Sequence, residues 1–156
     1  MFERFERIVR RSQEAISQEL NNGVSLHPFD ERNIHPDLVA SSKRLFDDGH
    51  YSQATFEAYK QLDKNVSTLA NVNETGYKLM MEAFAEDGSK IRLTELNNQS
   101  EIDEQKGFRF IFAGSVWAIR NPRGHEVNLP DTIDLALDHL SLASVLLRRL
   151  ENRIGP

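Results

Sequence analysis

The chain has 156 residues and a mass of 17.9 kDa, the size of one ordinary domain that can bury a core without help from disulfides or metals. It contains no cysteine, which excludes a disulfide framework, thiolate zinc sites and cysteine nucleophiles, and fits a reducing, cytoplasmic compartment. A formal net charge of -5 and a pI near 5.5 exclude the coating of nucleic acid through bulk positive charge, so any RNA contact must be local. A nuclease survives that exclusion, because catalysis needs a few well-placed cations and not a basic surface.

No apolar run approaches a membrane span, and the first residues lack the basic-then-apolar profile of a secretory signal, so a soluble, unprocessed protein is expected. Phe2, Phe5, Ile8, Val9, Ile16 and Leu20 recur at helical spacing, predicting an amphipathic N-terminal helix over 1–22 that ends at Asn21-Asn22-Gly23. Its mixed-sign polar face, Arg10 and Arg11 included, reads as solvated. Residues 23–35, with Pro28 and Asn33, read as a linker, and 36–156 as the domain proper.

Within that domain Pro36 opens a helix carrying Leu38, Val39, Leu45 and Phe46, and Gly49 stops it. Tyr51, Ala54, Ala58, Leu62, Val66 and Leu69 predict a long core helix whose small residues admit a close neighbour. Thr75 to Phe84 is a short helix closed by the turn Glu86-Asp87-Gly88-Ser89. Lys90 to Thr94 alternates as a strand would, but a strand with no partner is unstable, so an irregular excursion is expected. A long helix capped by Ser100 should then run through Phe108, Ile111, Phe112, Val116 and Trp117 to about Arg120, where Pro122 ends it. Phe108 and Trp117 are expected as core aromatics. After a loop over 121–130, Asp131 caps a final helix bearing Ile133, Ala136, Leu137, Leu140, Ala143, Leu147 and Leu150, with Arg148, Arg149 and Arg153 complementing its C-terminal dipole.

The five histidines show no metal-ligand spacing, and no phosphate loop, nucleophile elbow or dinucleotide fingerprint is present, so neither metal nor cofactor is predicted. What stands out is Arg120-Asn121-Pro122-Arg123-Gly124-His125. A turn there would fold His125 back toward Arg120, pairing a permanent cation with a group that titrates near neutrality. A guanidinium can hold two phosphate oxygens while an imidazole takes the proton of a ribose 2'-hydroxyl, a metal-free route to a 2',3'-cyclic phosphate. One histidine leaves the departing 5'-oxygen without an acid, which a second copy of the chain could supply. The residues alone also read as an ordinary Pro-Arg-Gly turn after a helix-terminal arginine, with a solvated histidine beyond it. Arg123 reads either as a weak phosphate contact or as a solvated turn residue. Glu57 and Lys60, one turn apart, could point into the same cleft or form a plain surface pair.

The Arg-Asn-x-x-x-His pattern at Arg120 to His125 resembles the signature of the HEPN superfamily, and the longer string is similar to its Ymh-type branch. Gly49-His50-Tyr51-Ser52-Gln53-Ala54, Glu57-Ala58-Tyr59-Lys60, Glu104-Gln105-Lys106-Gly107-Phe108-Arg109, Gly114 and Ala118-Ile119 extend the resemblance over roughly 34 to 152. It implies an all-α, HEPN-like up-and-down helical bundle, here with an extra N-terminal helix, that forms a homodimer. It further implies a metal-independent ribonuclease of toxin, abortive-infection or anti-phage defence type, with Arg120 and His125 catalytic and Asn121 supporting. An antitoxin or sensor partner fits such systems, and other members of the superfamily serve as dimerisation, sensing or nucleotide-binding modules. Some of its toxins carry a modifiable tyrosine two residues after the histidine; here Glu126 and Val127 follow His125.

Overall fold

The computed structural model describes residues 25–126 and 129–155, so the helix expected over 1–22 lies outside the described residues. The architecture is all-α. Its elements are α1 (Pro28–Glu31), α2 (Pro36–Asp47), α3 (Tyr51–Ala70), α4 (Gly76–Ala83), α5 (Gln99–Ser115), a π-helical turn (Val116–Arg120), α6 (Asn121–His125) and α7 (Ile133–Glu151).

α3 is the central post. Ala54, Ala58, Leu62 and Val66 recur every fourth residue and are fully buried, and the two alanines let neighbours come close. α2 and α7 pack against it, and α4 and the π turn close another side. α7 buries Ala136, Leu137, Leu140, Ala143, Leu147 and Leu150, as its periodicity requires, while Ile133 stays exposed. The residues read as a linker are partly core: Phe29 of α1 and Ile34 are buried, and Arg148 of α7 donates to the Asn33 carbonyl at 2.6 Å.

The excursion after α4 forms no strand, and Gln105 explains how it manages without one. This buried side chain donates to the Phe84 and Ile91 carbonyls (3.2 and 3.0 Å) and accepts from the Leu93 N–H at 2.8 Å, replacing the ladder a neighbouring strand would provide. Arg149 donates to the Leu93 carbonyl at 2.6 Å and the Ile154 N–H to the Arg92 carbonyl at 2.9 Å, so the basic C-terminal cluster ties down backbone as well as complementing a dipole.

Four local expectations are corrected. α5 is capped by Asn98, whose side chain accepts from the Glu101 N–H, and not by Ser100. α7 is capped by Thr132, because Asp131 is committed to an arginine. Pro122 does not end the long helix: α5, the π turn and α6 follow one another without a break to His125. In the π turn the Asn121 N–H bonds back to the Val116 carbonyl, and the widened turn takes up a proline ring that would collide with a regular α-helical carbonyl. Finally, Trp117 is not a core residue: it is 61% exposed, tilted against Tyr77 at 4.8 Å. Phe108 packs at the edge of the core, under the Arg149 guanidinium.

Candidate functional site

The motif residues sit where the π turn passes into α6, against α3 between Phe56 and Asp63. Along α3 a second row, Thr55, Tyr59 and Asp63, lies beside the apolar one and is buried although polar. Tyr59 meets α7, where its hydroxyl donates to the His139 carbonyl at 3.1 Å, and Asp63 meets α4, where its Oδ2 accepts from the Gly76 N–H at 2.9 Å. Burial raises the Tyr59 phenol above its usual range.

Arg120 and Arg123, three residues apart, are held in opposite ways. Arg123 is buried in a closed clasp: Nε and Nη2 donate to the two Asp131 carboxylate oxygens at 2.7 and 2.6 Å, with side chains only 5% and 2% exposed. Its Nη1 donates to the Ile119 carbonyl at 2.7 Å, inside the π turn, and Nη2 lies 3.3 Å from His139 Nδ1. The expectation of a solvated Arg123 therefore fails, because Asp131 reaches it across the 123–131 connection.

Arg120 is held loosely. Its guanidinium stands 5.7 Å over the Phe56 ring, Nη1 is 3.5 Å from Asn121 Oδ1, and Nη2 is 3.7 Å from Asp63 Oδ2. That last distance is an ion contact without a hydrogen bond. Arg120 Nε and Asp63 Oδ1, both buried, have no hydrogen-bond partner among the described residues. The Arg120 side chain is 23% exposed and that of Asp63 7%. Burial raises the Asp63 carboxyl above its ordinary range, with the Gly76 N–H and Arg120 pulling the other way.

His125 is exposed at the last residue of α6. Five helical residues from Arg120 correspond to about 140° around the axis, so within one chain the two are not folded back onto each other as a turn would have done. Next to them a cleft of about 750 Å3 opens between the start of α3 and α6, lined in part by His50, Ser52, Phe56, Glu57, Gly124 and Glu126. Gly124 is the tight point: a Cβ there would come within 2.9 Å of the Phe56 ring. Glu57 and Lys60 form a surface pair at 3.3 Å, with Lys60 outside the cleft lining. No three or more His, Asp or Glu side chains gather as a metal cluster among the described residues.

Sequence reasoning missed Asp63, Phe56 and Gly76. The signal was present in Thr55-Tyr59-Asp63, a polar i, i+4, i+8 row flanking an apolar one, which buries if the helix is enclosed on two sides. Gly76 has φ +66° at the start of α4, a conformation that side chains rarely adopt.

An all-α bundle that brings a polar row of its central helix against a π-bulged Arg-Asn-x-x-x-His segment defines the class of this protein. Residues 32–150 match the family described as "Protein of unknown function (Hypoth_ymh)", and the chain belongs to that family. No curated protein and no solved structure matches it. Among the described residues no helix is long and apolar enough to cross a membrane.

Proposed function

We propose that this protein is a HEPN-type, metal-independent endoribonuclease that works as a homodimer. The supporting observation is Arg120, a half-sheltered guanidinium with no closed ion pair, five residues before an exposed His125 on the same helix. Arg120 would donate to the non-bridging oxygens of a phosphodiester and offset the charge that grows on them. His125 would accept the 2'-hydroxyl proton as that oxygen attacks phosphorus, forming the 2',3'-cyclic phosphate and expelling the 5'-oxygen. The expelled oxygen takes a proton from the His125 of a second copy. Asn121, beside Arg120, would orient it. RNA in single strands or loops fits best, because in-line attack requires a ribose freed from helical geometry.

Dimerisation is favoured by an exposed stripe along α5 and the π turn. Gly107, Phe110, Ile111, Gly114 and Trp117 share one face, two glycines set among three large apolar residues, on the helical stretch that carries Arg120. A cytoplasmic toxin or anti-phage effector, restrained by an antitoxin or a sensor, is the setting this chemistry suits. The same stripe also favours a second reading, a non-catalytic dimerisation, sensing or RNA- or nucleotide-binding module.

Labelled RNA incubated in excess EDTA with the parent and with His125→Ala separates the two. Cleavage to 2',3'-cyclic phosphate ends by the parent, reduced about 100-fold or more in the variant, is expected of general acid–base catalysis. Equal cleavage by both, or none by either, refutes His125 as the catalytic base and favours the module.

A further inference from the structure

Two arginines on one helical stretch meet two buried aspartates, and only one pair closes. Asp131 gives both oxygens to Arg123 and takes up its donors. Asp63 does not do the same for Arg120: its Oδ2 is drawn to the Gly76 N–H at 2.9 Å and stops 3.7 Å short of Arg120 Nη2, while its Oδ1 has no hydrogen-bond partner among the described residues. Gly76 is fixed in turn by its left-handed backbone, and a Cβ on it would lie 3.6 Å from Arg120 Nη1. The carboxylate therefore acts on Arg120 through charge alone and consumes none of its N–H donors.

We propose that Asp63 is a positioning residue for Arg120: anchored by Gly76 on α4, its carboxylate holds the guanidinium against the Phe56 ring at a distance that leaves the terminal Nη donors free of it and available to a phosphodiester. The inference rests on Arg120 as the phosphate-holding group. It also explains why a carboxylate is kept where it costs folding energy. Asp63 is 7% exposed at its side chain, one of its oxygens has no partner, and burial makes its charged form unfavourable. A pair that served stability would close, as Arg123 and Asp131 do.

Asp63→Asn tests this, because the amide oxygen can still accept from Gly76 while the charge is gone. Three readouts are taken on the full chain: thermal melting, the 15N–1H resonance of Arg120 Nε, assigned by its loss in Arg120→Lys, and RNA turnover. The expected result is a protein that melts at or above the parent, with the Arg120 resonance displaced and kcat lowered ten-fold or more at a KM that changes less. Asp63→Ala, which also strips the acceptor from Gly76, should melt below both. Asp138→Asn, altering a surface pair with Arg32, should leave the Arg120 resonance in place. An Asp63→Asn protein that melts below the parent, or whose Arg120 resonance does not move, overturns the inference and makes Asp63 an ordinary structural partner. A parent that cleaves no RNA removes the proposed reaction, and melting and resonance then decide by themselves whether Asp63 positions Arg120.

Discussion

The clasp between Arg123 and Asp131 ties the end of the long helix to the start of α7, and replacing Asp131 by Asn measures what it holds. The change leaves Arg123 charged, its side chain 5% exposed, with its Ile119 carbonyl contact but no counter-charge in the clasp. Breaking a buried pair from one side costs about 3–5 kcal/mol, of which the remaining carbonyl and amide contacts should recover part, so a loss of about 3 kcal/mol is expected. In a chain of this size each kcal/mol is worth about 2–4 °C, so the melting temperature should fall by roughly 6–12 °C. Urea titration gives the free energy directly, provided the slope of the transition is unchanged. The double variant Arg123→Met/Asp131→Leu removes both charges and should return to within about 1–2 kcal/mol of the parent, the residue of the deficit being the Ile119 carbonyl left without its donor. An Asp131→Asn protein that loses less than about 1 kcal/mol, or a double variant less stable than the single one, would refute the clasp as a desolvated ion pair.

Three further outcomes follow from the same geometry. Gly124→Ala pushes a methyl group into the Phe56 ring edge and should cost about 1–2 kcal/mol in urea while lowering RNA turnover, because the ring that shifts is the one under Arg120; unchanged turnover would disconnect Phe56 from the site. His139 is held below its ordinary pKa of 6.5, first by burial and then by the Arg123 charge, against the opposing pull of Asp131 and Asp138. The unfolded chain therefore takes up a proton before the folded one, so the stability His139 contributes is complete above about pH 6.5 and drains as the pH falls toward the lowered value; His139→Gln should flatten melting temperature against pH in that window, and an unaltered slope assigns it to other groups. Trp117→Ser should convert a dimer in light scattering to a monomer with little change in melting of the monomeric fold, and a parent that is already monomeric at micromolar concentration defeats the shared-site arrangement.

Periodicity determined the long helices of this protein, though not the short ones at Pro28–Glu31 and Asn121–His125. The apolar rows at Leu38 to Phe46, Ala54 to Val66 and Ala136 to Leu150 each demand a helix with one buried side, and the φ of Gly49 and the proline at Pro36 set boundaries that need no distant partner. The Arg120 to His125 motif was legible for the same reason, as a string of residue types. Tertiary structure alone decided what surrounds them. Whether Pro122 ends a helix depends on whether a π turn can absorb its ring; whether Asp131 caps α7 or clasps Arg123 depends on which partner lies across the connection. Trp117 and Phe112 both recur at helical spacing on the same stretch, yet one is exposed and the other buried, because only the facing elements say which side is inside. The row Thr55-Tyr59-Asp63 marks Asp63 for burial but not its partner: its relation to Arg120 spans two helices and a glycine of a third, and contacts between residues so far apart along the chain arise only once the bundle has closed.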